Sequence, residues 1–357
     1  MAFAFPAEFP SQFSLTPNRA HHLLIPISPS VGPRRRRTTA ISASQNGAVP
    51  RKAPPPRLRI AYQGAPGAYS ELAAKTACPD CEPLPCKAFV DAVDAVEAGH
   101  ADRAVIPVES TLEGTAVRNY DLLLRRDLRI VQEISLFVQY CLLAMPGVRK
   151  GELKKVISHP VALAHCGRTL AQLGLNHEAV DDTAGAVELL LSQKMLDTAA
   201  IASSRAALMY GLDVLAHGLQ DESWNVTRFL ILSKEWSAPA SACPTPFGRK
   251  TSLVFAHHGN MLTVLLGVLS AFSSRGINLT KLEMNSSSEQ SAPITVLDVQ
   301  DGGGGSLKEF PHVLYVDFEG SVDWLKVRDA ITEICKLGVF VRILGCYAAD
   351  PNIYDLH

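Results

Sequence analysis

The chain has 357 residues, with 34 basic and 35 acidic side chains and a formal charge of −1. That charge is unevenly spread: residues 1–57 hold eight Lys/Arg against one acid, Glu8, leaving 26 basic and 34 acidic side chains in residues 58–357. An acidic body with no Lys/Arg block excludes a nucleic-acid backbone as partner, and no apolar run approaches the roughly 18–20 residues that cross a bilayer.

The first 57 residues also carry ten of the 23 prolines. Such a segment buries too little apolar surface to offset its chain entropy. Its Arg-rich, acid-poor composition, closing on Arg34 to Arg37 and Thr38-Thr39-Ala40-Ile41-Ser42-Ala43, is that of an organellar transit peptide. Pro6, Pro10, Pro17, Pro26 and Pro29 break every apolar stretch that a secretory signal would need.

From Leu58 onward, strands and helices alternate. A strand over Leu58 to Tyr62 ends in the turn Gly64-Ala65-Pro66-Gly67, and a helix follows over Tyr69 to Thr76. Ala104 to Val108 leads through the polar loop Glu109 to Thr115 into a helix over Ala116 to Leu124. Val156 to Ser158 leads through His159-Pro160 into one helix ending at Leu173. Ala179-Val180 leads into a helix to Ser192, and Ala199 to Ala202 into Arg205 to Tyr210. This grammar predicts an α/β sheet with largely parallel strands, whose polar loops gather at one edge beside helix N-termini. A pocket for a small carboxylate-bearing ligand is expected there.

Residues 236–249 are rich in proline and small residues and are expected to form a linker. Beyond it, strands over Thr251 to Ala256, Asn278 to Met284, Pro293 to Val299, His312 to Glu319 and Phe340 to Tyr347 surround helices over Met261 to Ser274 and Val322 to Leu337. Counting Pro293 to Val299 and His312 to Glu319 as one long or hairpin element gives βαββαβ, the ferredoxin-like arrangement. Gly302 to Gly305 lacks the Gly-Lys-Ser/Thr of a phosphate loop and is expected to be a flexible linker. The eight cysteines are scattered, as free thiols in a reducing compartment are. Cys78, Cys81 and Cys86 lack a second ligand pair at finger-like spacing, so no metal is expected.

Several motifs stand in order: Tyr62-Gln63-Gly64-Ala65-Pro66-Gly67-Ala68-Tyr69-Ser70-Glu71, Arg118-Asn119-Tyr120-Asp121-Leu122-Leu123-Leu124-Arg125, Ser158-His159-Pro160, Asp181-Asp182-Thr183-Ala184-Gly185-Ala186, Tyr210-Gly211-Leu212 and Asn225-Val226-Thr227-Arg228-Phe229. With them, the chain from Leu58 to Tyr347 resembles the prephenate/arogenate dehydratase family of plants. Arg275-Gly276-Ile277-Asn278-Leu279-Thr280-Lys281-Leu282-Glu283 is similar to that family's ACT domain.

The resemblance implies a two-lobed, periplasmic-binding-protein-like α/β catalytic region over 58–235, with its active site between the lobes. A ferredoxin-like α+β ACT domain that binds phenylalanine would occupy 250–350, and residues 1–57 would be a chloroplast transit peptide directing the chain to the stroma. The implied reaction converts arogenate to phenylalanine, or prephenate to phenylpyruvate, by losing carbon dioxide and hydroxide together. It needs no metal or organic cofactor, because aromatisation drives it. The small-molecule substrate and the phenylalanine effector are the implied partners, together with a second copy of the chain bound through the ACT domain; nucleic acid and membrane are not.

The family's catalytic threonine falls on Thr227, whose hydroxyl can serve the leaving hydroxide as donor. The resemblance places substrate contacts at Ser110, Thr111, Gly114, Thr115, Ser158, His165, Thr183, Ser203, Asn225, Arg228 and Phe229. Arg228 has two readings, a source of positive potential or a partner in a salt bridge.

This sequence departs from the pattern at Glu109-Ser110-Thr111, where the family has Glu-Asn-Ser, and at His165, where it has glutamine. In the effector site, Asn278, Leu279 and Glu283 remain, but Met284-Asn285-Ser286 replaces Ser-Arg-Pro and Thr263-Val264-Leu265-Leu266 replaces Gly-Ala-Leu-Val. Weakened or lost feedback by phenylalanine is the expected result. Ser110 and His165 also admit a second reading, a non-catalytic or weakly active regulatory paralogue that associates with active subunits; Thr227-Arg228-Phe229 favours the enzyme.

Overall fold

The computed structural model describes residues 57–235, 248–287, 292–299 and 305–350. The expected transit peptide (apart from Arg57), residues 236–247 of the expected linker and Gly302 to Gly304 lie outside the described residues.

The chain begins with β1 (Arg59–Gln63), α1 (Tyr69–Ala77), β2 (Glu82–Cys86), α2 (Phe89–Glu97) and β3 (Arg103–Ser110). β1 runs between β2 and β3, parallel to both. The sequence Glu-Pro-Leu-Pro-Cys of β2 has no β-branched run to betray a strand, yet its prolines are tolerated because β2 is the sheet edge. A two-residue β4 (Gly114–Thr115) folds back on β3, and α3 (Val117–Leu124) and β5 (Arg129–Phe137) complete the first pass through this lobe.

The chain then crosses to a second lobe. It comprises β6 (Cys141–Ala144), β7 (Lys155–Ser158), α4 (Pro160–His165), α5 (Gly167–Leu173), β8 (Asn176–Ala179), α6 (Thr183–Ser192), β9 (Thr198–Ala202), α7 (Ser204–Tyr210) and β10 (Asp213–His217), with sheet order β10-β6-β9-β7-β8. The single helix expected from His159-Pro160 to Leu173 is two. Asp221 divides it: its N–H donates to the His165 carbonyl at 2.7 Å, and its carboxylate accepts from Arg168 N at 2.8 Å and Thr169 N at 3.1 Å. One end and one beginning are thereby satisfied.

A second crossing returns the chain to the first lobe as β11 (Val226–Ser233), between β5 and β3 and antiparallel to both. That sheet is therefore mixed, not largely parallel. Alternation along β11 sends Phe229 and Ile231 into a core shared with α1, and Leu230 and Leu232 into a core on the opposite face. Two crossings between two sheets leave a cleft between the lobes.

The C-terminal module contains β12 (Arg249–His257), α8 (Met261–Ser273), β13 (Leu279–Ser286), β14 (Ile294–Val299), β15 (Gly305–Phe310), β16 (His312–Glu319), α9 (Leu325–Cys335) and β17 (Phe340–Ala348). Its sheet order, β13-β16-β12-β17, is ferredoxin-like. The 293–299 segment does not join this sheet but pairs with β15 in a separate hairpin. Gly305, expected in a linker, begins that second strand. The helices cover one face of the module, and on the other Val254, Val313, Tyr315 and Tyr347 pack with Ile106, Tyr120, Leu123 and Leu230 of the first lobe. β17 lies beside β5, pairing Ala348 with Gln132, and the approach is so close that a Cβ at Gly345 would collide with the Ile130 carbonyl.

Candidate active site

Thr227 is the second residue of β11 and, by alternation, shares a face with Phe229, the face that carries α1 and turns toward the second lobe. Its hydroxyl makes no hydrogen bond to any described residue. Asn225 precedes it and is buried, with the amide nitrogen lacking a completed hydrogen bond among the described residues. Beside that amide lies the phenol of Tyr140, which burial and then Cys166 push far above its ordinary range while Asn225 draws it partly back. The Tyr140 ring is 6.1 Å from those of both Tyr69 and His165. His165 Nε2 meets Glu113 Oε1 at 2.6 Å, and its buried Nδ1 has no partner among the described residues. First lobe, crossing segments and second lobe each supply groups to one chain of contacts, Asn225, Tyr140, His165 and Glu113, and Thr227 follows Asn225 by two residues.

Loop 110–115 is held beside this cluster from several sides. Ser110 Oγ accepts from Leu112 N at 3.2 Å and Glu113 N at 3.4 Å. Thr111 Oγ1 donates to the Trp224 carbonyl and accepts from Val226 N, both at 3.0 Å. Thr115 Oγ1 accepts from Lys281 Nζ at 2.7 Å and donates to Glu283 Oε2 at 2.9 Å. The Glu283 carboxylate, expected at an effector site, is thus committed to the junction with the first lobe. Asn278 is exposed, with its carbonyl accepting from Glu319 N at 2.9 Å, and Leu279 packs partly on the helix-side core.

The lobes also meet where helix ends converge. Ser203 Oγ donates to the Gly67 carbonyl at 2.8 Å and accepts from Ala206 N at 3.0 Å, capping α7. Arg205 pairs with Glu71 at 3.1 Å, and Glu71 accepts from Gly67 N at 2.6 Å. Gly67, at φ +92, permits this approach, since a Cβ there would lie 2.9 Å from that of Ala206. Asp182 caps α6 by accepting from Ala184 N and Gly185 N, each at 2.7 Å, which makes Thr183 the first helical residue. The N–H groups expected to receive substrate carboxylates at these ends are occupied by the chain's own side chains.

Four expected contacts stand elsewhere. Ser158 is fully buried and donates to the Ile201 carbonyl at 2.7 Å, bracing β7 against β9; the cap of α4 is His159. Ser203 is spent as described. Phe229 is core, packed with Tyr62 and Ala184. Arg228 points to the face opposite Thr227 and takes the salt-bridge reading, pairing with Glu133 at 2.8 Å and Asp317 at 2.7 Å and donating to the Tyr347 hydroxyl at 3.0 Å. Burial opposes its charge, but Asp317, Tyr347, Tyr120 and Glu133 outweigh that and hold the guanidinium protonated. Lys250 adds a second cation on Glu133 at 2.9 Å. A cavity of about 430 Å³ opens on this side between Ser110, Thr115, Trp224, Arg228 and Lys281. Its cations are already paired, Lys281 with Glu109 at 2.9 Å. The expected residues are therefore divided between the interlobe cleft and this junction.

The family profile described as prephenate dehydratase matches residues 60–237. Arogenate dehydratase 1 of Petunia hybrida is 52% identical over 295 residues, 82% of this chain and 67% of that protein. Arogenate dehydratase/prephenate dehydratase 6, chloroplastic, of Arabidopsis thaliana is likewise 52% identical, over 82% of this chain and 69% of its own. The chain belongs to the prephenate dehydratase family. Among solved structures, the prephenate dehydratase of Arthrobacter aurescens in complex with L-Phe is 26% identical with a TM-score of 0.68, covering 82% of this chain and 90% of that one. A structure described as a quorum quenching acylase, GqqA, is 31% identical with the same TM-score of 0.68, over 83% and 99%. The profile's matched region ends just past β11 and so covers the two lobes, while the matches to the plant relatives, at 295 residues, are longer.

Glu113 and Tyr140 escape a reading of the sequence alone. Glu113 sits unremarked inside the very loop singled out for its hydroxyls, and Tyr140 lies in a crossing segment with no motif of its own.

Proposed function

We propose that this chain is a dehydratase of phenylalanine biosynthesis that converts arogenate to phenylalanine, with prephenate as the alternative substrate. The observation that carries the reading is the unbonded Thr227 hydroxyl on the cleft face of β11, two residues after buried Asn225, whose amide nitrogen has no completed hydrogen bond among the described residues. Breaking the bond to the ring carboxylate sends its electron pair into the ring as carbon dioxide leaves, and the ring expels hydroxide. A donated proton makes that leaving group water. Thr227 is assigned this donor role, and Asn225, His165 and Thr183 the positioning of substrate carboxylates. Ser110, Thr111, Gly114 and Thr115 form the wall that holds Glu113 in place.

We assign residues 58–235 to catalysis and 250–350 to an ACT domain with phenylalanine as its effector, a pairing weakened by the altered motifs and by the engagement of Glu283 with Thr115. Residues 1–57 are assigned as a transit peptide to the chloroplast stroma, and a second copy of the chain as the partner of the ACT domain.

Thr227→Ala tests the reading. Turnover of arogenate, followed by release of the aromatic product, should fall by about 10²-fold or more, with affinity in titration calorimetry nearly unchanged. Unchanged turnover removes Thr227 from the donor role.

A further inference from the structure

Resting on the dehydratase reading, we infer that Glu113 is the carboxylate that selects an ammonium-bearing substrate. Arogenate and prephenate are the same ring with the same two carboxylates; they differ where arogenate carries an α-ammonium and prephenate a ketone. A site that prefers the first needs a fixed negative charge within reach of that carbon, because an ammonium gains a charge-assisted bond to a carboxylate that a ketone cannot make. The ketone would instead leave its oxygen facing a negative group.

Of the carboxylates Glu71, Asp182, Asp221 and Glu113, the first three are spent on structure. Glu71 is buried, accepts from Gly67 N and pairs with Arg205. Asp182 accepts from two N–H groups of α6, and Asp221 from the first N–H groups of α5. Glu113 differs. Its side chain is 56% exposed, one oxygen reaches His165 across the cleft, and the other has no partner among the described residues. The backbone that carries it is nonetheless fixed, since Ser110 accepts from its N–H and both Thr111 and Thr115 are bonded on either side. His165 holds one oxygen of Glu113 across the two lobes and leaves the other open. Position, freedom of one oxygen and restraint of the backbone are the three properties such a selector needs.

The test is turnover of both substrates by the mature chain, Glu113→Gln and His165→Gln, with thermal unfolding as a control for folding. Glu113→Gln should lower kcat/KM for arogenate at least tenfold more than for prephenate, mainly through KM, and Glu113→Asp should fall between. His165→Gln, which keeps the carboxylate, should retain the preference for arogenate. Equal losses on both substrates, or an unchanged ratio in Glu113→Gln, overturn the assignment and leave the dehydratase reading standing. A wild-type chain inert towards both substrates overturns the dehydratase reading, and this inference with it.

Discussion

Thr227 and Arg228 are neighbours in the chain and opposites in surroundings. One presents an unbonded hydroxyl to the cleft, and the other is sealed among Glu133, Asp317, Tyr347 and Lys250. Arg228→Met should therefore act on stability, costing about 3–5 kcal/mol because it leaves buried Asp317 without its cation and Glu133 with Lys250 alone. Asp317→Asn should also destabilise, and the double variant should lose much less than the two single losses combined, since the pair is one interaction. Chemical denaturation of the four proteins checks this. The KM for substrate should stay near wild type in Asp317→Asn, whose site is on the far side of the sheet. The motif around Thr227 was legible in the sequence, but the direction of Arg228 was not. Its salt-bridge partners Glu133 and Asp317 lie 95 and 89 positions away in sequence, and only the placement of β5 and β16 around β11 brings them together. For the same reason Ser158 and Ser203 read as donors at strand-to-helix corners, while folding spends their hydroxyls on Ile201 and Gly67.

At the scale of elements, the alternation of strand and helix was readable wherever β-branched runs met a glycine turn or a capping residue, as at α1, α6 and α7. It failed at β2, where two edge prolines mask the strand, and at the α4–α5 break, which is made by Asp221 from a distant loop. The start of α4 carries a pH dependence. His159 Nδ1 accepts from Val161 N at 3.2 Å, which requires an unprotonated nitrogen. Burial lowers the pKa of His159 in the fold, partly offset by Asp182 and Asp181. The unfolded ring takes up a proton near its ordinary value of about 6.5 while the folded ring resists it. The stability from this cap is thus fully present above about pH 6.5 and is lost as pH falls through that value toward the lower folded one. Replacing the ring by an amide that keeps an acceptor, His159→Asn, should reduce the loss of unfolding free energy between pH 7.5 and 5.5. Urea titrations of both proteins at the two pH values measure the difference.

For the whole molecule, the continuous sheet from β2 to β13 leaves two edges with different chemistry. The β2 edge is blunted by Pro83 and Pro85. The β13 edge has no proline, and its exposed side chains alternate as Thr280, Leu282, Met284 and Ser286. Leu262 and Leu266 on α8 are exposed as well. An open strand with apolar side chains is a surface that natural sheets protect by pairing, and an antiparallel pairing of β13 with its own copy satisfies both edges through one twofold axis. Charge does not oppose this, because the four exposed side chains on this strand are uncharged. Wild-type protein should therefore run at twice the mass of a single chain in light scattering after size exclusion. Leu282→Lys combined with Met284→Lys should yield the single-chain mass, since two new cations would face their symmetry copies across the axis. The substituted side chains alternate with Lys281 and Glu283, which hold Thr115, so the contacts to the first lobe are kept and the monomer would also reveal whether the cleft works without a second copy. A wild-type chain already at the single-chain mass at micromolar concentration would remove the twofold pairing.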